Sequence, residues 1–206
     1  MSQSDIFTIQ KEKEWKMVRS QSHFIALSFH LPLAKESRTK LREAEQRFPR
    51  ATHYAYAFRC GTWGDEEHAS DGGEPRGSAG RPILGVLQHL NLTETMIVVV
   101  RYFGGKKLGI RGLIEAYGEA TQKVLELSGR TLYVPKETFL VSVELPFFDL
   151  FVHRLLGILK DKHNVTLQKE NATISFIIAQ EQAEQIEAFL KKEHLQGVIR
   201  NFTKER

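Results

Sequence analysis

Met96-Ile-Val-Val-Val-Arg-Tyr-Phe103, followed by Gly104-Gly-Lys-Lys-Leu-Gly109, is the stretch on which the fold turns. Met96 to Val100 is a continuous apolar run rich in valine, with no polar face. It therefore predicts a central strand buried on both sides. The same run falls far short of the ~20 residues that a membrane helix needs. Gly104 to Gly109 predicts a tight loop. Beyond it, Leu113, Tyr117, Ala120, Val124 and Leu127 recur at three- and four-residue spacings, which predicts an amphipathic helix with Gly129 as its C-cap.

Upstream, Ile25, Leu27, Phe29 and Leu31 alternate with Phe24, Ala26, Ser28 and His30, the period of a strand, expected to pair with the segment around Trp15 to Arg19. A charged surface helix is expected over 34–48, closed by Pro49. Tyr54, Tyr56, Phe58 and Cys60 alternate with His53, Ala55, Ala57 and Arg59, giving a strand with one aromatic face and one of mostly small residues. The polar stretch 61–80 holds six glycines and one proline, so a long loop is expected, leading into a helix over 81–90 with Pro82 in its first turn. After a link over 130–136 the pattern restarts as strand 137–145, helix 148–160, strands 165–168 and 172–179, helix 181–193 and strand 197–203. That βαββαβ order predicts a ferredoxin-like second domain.

With 206 residues, 41% of them hydrophobic and 26% charged, the chain has the composition of a folded globular protein of one or two domains. Cys60 stands alone, which excludes an internal disulfide and a Cys-based structural zinc site. The start, MSQSDIFTIQKEKEW, has no apolar h-region, and a cytoplasmic location is expected. The net charge of +4 is unevenly placed. Residues 1–135 carry 19 Lys/Arg against 15 Asp/Glu, whereas 136–206 carry 10 of each. Within 75–114, Arg76, Arg81, Arg101, Lys106, Lys107 and Arg111 face Glu94 alone.

That basic segment lies between two glycine loops, 70–80 and 101–112, each expected to lead from a strand into a helix, where free N–H groups favour an anion. Neither loop supplies the lysine of a nucleotide-binding P-loop, and no dinucleotide fingerprint is present. Ser78, with His53 and Asp71, falls one residue short of a nucleophile-elbow spacing, and capping of the following helix is the expected role of Ser78. The acidic stretch Asp65 to Glu74 has no metal-site spacing and reads as a solvated loop, so no metal and no cofactor is expected. Tyr54 would stack on a base only if its face were open.

Asp71-Gly-Gly-Glu-Pro-Arg-Gly-Ser-Ala-Gly80, the run from Val98 to Gly109, and Gly112-Leu-Ile-Glu-Ala-Tyr-Gly-Glu-Ala120 resemble the YigZ/IMPACT family, and His53 with Tyr54 matches a further family position. The motif positions carried over are His53, Asp71, Gly73, Glu74, Pro75, Gly77, Ser78, Gly80, Tyr102, Phe103, Gly104, Gly105, Gly109 and Gly112. The resemblance implies an α+β protein of two domains: a ribosomal protein S5 domain 2-like fold over 1–135, then a ferredoxin-like domain over 136–206 that is similar to elongation factor G domain V. Four positions depart from the family pattern. Gly72 replaces an aspartate, Ile110-Arg111 replaces Thr-Gly, and Glu115 stands where a basic residue is common.

Together these readings give a non-enzymatic protein that binds RNA or the ribosome and regulates translation. Arg76, Arg81, Arg101, Lys106, Lys107 and Arg111 are its expected phosphate contacts. Two alternatives remain. One is an enzyme acting on a small phosphorylated or acyl substrate at the 71–80 loop, with Ser78, His53, Asp71 and Glu74 around a concave pocket. The other is an adaptor whose partner is a protein.

Overall fold

In the computed structural model, which describes residues 5–205, the chain forms two compact α+β units that divide between Tyr133 and Val134. In the first, β1 (Phe7–Ile9), β2 (Glu14–Arg19) and β3 (Ser22–His30) precede helix α1 (Ser37–Arg47). Then come β4 (His53–Cys60), β5 (Glu66–Ser70), α2 (Gly80–His89), β6 (Thr95–Tyr102), α3 (Gly109–Ser128) and β7 (Arg130–Leu132). Strands β2, β3, β6, β4 and β5 form one antiparallel sheet in that order, with β6 at its centre as its valine run predicts.

Period-two alternation sorts the core onto two sides of this sheet. Ala55, Ala57, Ile97, Val99, Phe24 and Ala26 face α2 and α3, where Ile83, Leu87, Leu113, Tyr117 and Val124 pack on them. Tyr54, Tyr56, Phe58, Met96, Val98 and Val100 face the other way, towards Ala44 and Leu41 of α1. The small residues of β4 thus let α2 approach its sheet closely, and the aromatic ones fill the wider gap under α1.

Three local expectations are corrected. Residues 66–70 are a strand, not loop: Gly61 at φ +85° and Gly64 at φ +65° turn the chain back. β5 then pairs with β4 as an exposed edge strand, with Glu67 beside Arg59 at 3.2 Å. Its polarity reflects edge exposure, which hides a strand from hydrophobic patterning. The link 130–136 contains β7, paired with β1 as a small separate sheet. Leu127 is exposed, because the buried face of α3 runs on through Val124, Leu125 and Ser128.

The second unit comprises β8 (Lys136–Val143), α4 (Phe148–Ile158), β9 (Val165–Gln168), β10 (Thr173–Ala179), α5 (Ala183–Leu195) and β11 (Ile199–Glu205). The strands form an antiparallel sheet in the order β11, β8, β10, β9. Phe139, Val141, Ile174 and Phe176 pack against Phe151, Leu155, Ile186 and Leu190 of the two helices. No helix among the described residues is long and apolar enough to cross a membrane.

Candidate functional site

Arg101 lies near the end of β6, opposite Phe24 on one neighbouring strand and His53 on the other. It shares the sheet face of Ile97 and Val99, so its side chain runs under the helices and is only 5% exposed. A guanidinium there needs a partner, because an unpaired buried charge is strongly unfavourable. Glu74, 3% exposed, supplies it. Its Oε1 accepts from Arg101 Nη1 at 2.7 Å and from the Tyr117 hydroxyl at 2.8 Å.

The other amino group, Nη2, donates to Ser22 Oγ at 3.1 Å, and the same oxygen accepts the Gly104 N–H at 3.3 Å. His53 Nε2 stands 3.7 Å from Glu74 Oε2. The guanidinium sits between the rings of Phe24 and Phe103, 5.3 Å from each centroid. Burial, and then the Glu74 carboxylate, push the Tyr117 phenol far above its ordinary range, so it remains a donor. This network ties the loop before α2 to the loop after β6. Both glycine loops therefore sit at one end of the sheet.

The N-terminus of α2 is already capped. Asp71 Oδ2 accepts the Gly77 N–H at 2.8 Å, and its Oδ1 accepts those of Ala79 and Gly80 at 3.0 and 2.9 Å. Burial alone would raise the Asp71 carboxyl, but these three amides and the nearby Arg81 outweigh it and hold the group below the usual aspartate range. A protein carboxylate thus occupies the anion position that the sequence assigned to a ligand. Ser78, expected as the cap, is instead buried with its hydroxyl donating to the Pro75 carbonyl at 2.6 Å.

Asp71→Ala should cost about 1–3 kcal/mol of stability at pH 7, measured by urea unfolding. Because the folded-state carboxyl is depressed, its contribution is present above the unfolded value of about 4 and fades as pH falls through the lower folded one. Equal midpoints for variant and wild type at pH 7 would refute the capping role.

Of the six expected phosphate contacts, five are on the surface. Arg76, Arg81, Lys106 and Lys107 are exposed and make no ion pair or side-chain hydrogen bond among the described residues. Arg111 is exposed but pairs with Glu115 at 3.1 Å, and Glu115 also holds Arg19 at 2.7 Å. The charge added by Arg111 and the acid at Glu115 offset one another. Arg101 is a correction: buried and neutralised by Glu74, it cannot touch a phosphate at the surface.

Tyr54 is another correction, since its hydroxyl donates to Phe48 O and accepts from Ala51 N while its ring packs under α1. Phe103, not Tyr54, is the exposed aromatic at this end. Tyr102 bonds Pro49 O through its hydroxyl at 3.1 Å. Among the remaining motif positions, Pro75 is exposed, Gly73 lies against the His53 ring, Gly77, Gly105 and Gly109 have positive φ, and Gly112 lies in the first turn of α3.

Gly72 also has a structural reason. At φ +58°, a Cβ would stand 2.2 Å from the Tyr54 carbonyl oxygen, so the aspartate usual in the family would require this backbone to move.

The arrangement required by the enzymatic alternative is not assembled. Ser78 is fully buried and bonded to Pro75, Asp71 is committed to three amides, and His53 Nδ1 lies 3.2 Å from Gly72 O. A cavity of about 440 Å³ opens elsewhere, at the C-terminal ends of α2 and α3, where Leu90 and Leu125 line it and no motif residue does. Among the described residues no cluster of His, Cys, Asp or Glu is placed to hold a metal ion. Cys60 is fully buried, and burial followed by Glu66 pushes its thiol up to about 12, so it is no nucleophile. The sequence missed Ser22 and the Tyr117 hydroxyl; the only signal for the latter was a tyrosine on the apolar face of a helix.

Residues 20–125 match the family model described as the Impact N-terminal domain. An IMPACT family member from Thermus thermophilus is 39% identical over 145 residues, covering 69% of this chain and 74% of that protein. The IMPACT family member YigZ of Escherichia coli is 33% identical over 140 residues, covering 67% of this chain and 65% of the relative. A crystal structure of a hypothetical protein aligns over 96% of both chains with a TM-score of 0.67 at 24% identity, a likeness of fold alone.

Proposed function

The chain belongs to the IMPACT family, and from that premise we propose that it is a non-enzymatic RNA-binding protein that docks on the ribosome in the cytoplasm and regulates translation. One observation carries this reading: Arg76, Arg81, Lys106 and Lys107 are exposed, without ion pairs among the described residues, and gathered at one end of a sheet by a buried network. Unpaired cations on two loops locked together and on the first turn of α2 favour a polyanion, whose phosphates recur at intervals, over a small substrate that needs an enclosed pocket.

We also assign residues 1–135 to the ribosomal protein S5 domain 2-like fold, on the resemblance of the motifs. Residues 136–206 are assigned to the ferredoxin-like fold, supported by the strand order β11, β8, β10, β9.

The test is cosedimentation of the full chain with purified ribosomes across a salt series. Four phosphate contacts predict a log–log slope near about −3. Association that ignores salt would favour the protein-adaptor alternative, and no association at all would overturn the proposal.

A further inference from the structure

We propose that Phe103 is a stacking platform for an unpaired nucleobase, so that the basic end of the sheet takes single-stranded or looped RNA in preference to continuous duplex. The inference rests on the RNA-binding reading above and narrows it to a class of RNA.

Phe103 is 44% exposed although it directly follows β6, which is buried from Thr95 to Arg101 and half-buried at Tyr102. One face of its ring lies on the Arg101 guanidinium, 5.3 Å from the centroid, so a base would stack on the opposite face. The guanidinium is itself fixed by Glu74 and Ser22 and backed by Phe24. The Phe103 N–H donates to Thr52 Oγ1 at 3.0 Å, which pins the backbone. The ring is therefore held in place before any ligand arrives, and little conformational entropy remains to be lost on stacking.

An exposed aromatic in this setting suits a base better than a protein side chain. Lys106 and Lys107 follow three and four residues later, and the Glu74–Arg101 pair brings the loop of Arg76 and Arg81 to the same end. A base on the ring with its flanking phosphates on these cations is the pattern by which single strands are held: stacking on a π face, with charge tracking the backbone. Continuous duplex presents its phosphates equally well but keeps its base faces stacked on each other.

The experiment uses the full chain and fluorescence anisotropy with three probes: a ten-nucleotide oligouridylate, an RNA duplex of ten base pairs, and a ribose-phosphate oligomer of the same length without bases. Oligouridylate is expected to bind more tightly than the baseless oligomer, and Phe103→Leu to weaken it roughly tenfold or more while leaving the salt slope unchanged. Phe103→Trp should restore binding and show quenching of its indole as the base stacks. Binding of the baseless oligomer should not respond to either substitution, which also shows that the variants are folded.

If Phe103→Leu binds oligouridylate as wild type does, with the salt slope intact, the platform is refuted and the phosphate-binding reading survives. The same holds if the duplex binds better than the single strand. If no RNA binds and ribosomes do not cosediment, both fail together.

Discussion

Glu74→Ala is expected to lower the unfolding free energy by about 3–5 kcal/mol, the cost of leaving a buried guanidinium without its counter-charge. Arg101 cannot escape to water, because its side chain is 5% exposed and held between two rings. Tyr117 would lose its acceptor in the same step. The measurement is urea unfolding followed by circular dichroism at pH 7. A double replacement by apolar residues of similar size, Glu74→Leu with Arg101→Met, should recover much of the loss, because the penalty lies in the orphaned charge rather than in absent attraction. A Glu74→Ala variant within 1 kcal/mol of wild type would contradict the network's role in joining the loops.

The second large effect is steric. A Cβ on Gly104 would fall 1.8 Å from the Gln21 carbonyl oxygen, a backbone atom that cannot swing aside. Gly104→Ala must therefore displace either the turn between β2 and β3 or the loop after β6, breaking the Gly104 N–H bond to Ser22. A loss of about 3 kcal/mol is expected, at the upper end of overpacking costs. Gly105→Ala gives the comparison: there a Cβ meets nothing within 4 Å, and the strain comes only from φ +88°. Its cost should be about 1 kcal/mol, the ordinary penalty of a left-handed non-glycine residue. Equal stability of the Gly104→Ala and Gly105→Ala variants would remove the argument that backbone contact demands glycine at 104.

Much of the fold was legible because its signals were unopposed. Met96 to Val100 has no polar face and could only be interior, and β6 is central. The alternation from His53 to Cys60 marked the small-residue and the aromatic face of β4, which pack on the two sides of the sheet. β5 was not legible, because an edge strand of Glu66, Glu67 and His68 satisfies its exposed side with water and has no hydrophobic period to read.

The site was legible in part. Exposed cations keep in the structure the charge that a sequence count gives them, and Arg76, Arg81, Lys106 and Lys107 are exposed as that count assumes. Arg101 was misjudged because counting treats each arginine as solvated. Its partner Glu74 lies 27 residues away and Tyr117 a further 43 from Glu74, separations that no local pattern encodes. Asp71 was overlooked as a cap for a similar reason: its carboxylate reaches amides six to nine residues ahead, whereas a sequence reading looks for a hydroxyl beside the helix.

The central claim is that two glycine loops present unpaired cations to RNA phosphates. It is tested most directly by reversing Arg76, Arg81, Lys106 and Lys107 to glutamate and repeating the ribosome cosedimentation across salt. These side chains are exposed and make no ion pairs among the described residues, so the unfolding midpoint should fall little beyond the cost of a glutamate at 81 beside the Asp71 carboxylate. The account predicts that the log–log slope flattens by about 3, with association lost at low salt. An unchanged slope and affinity in the folded variant would contradict it.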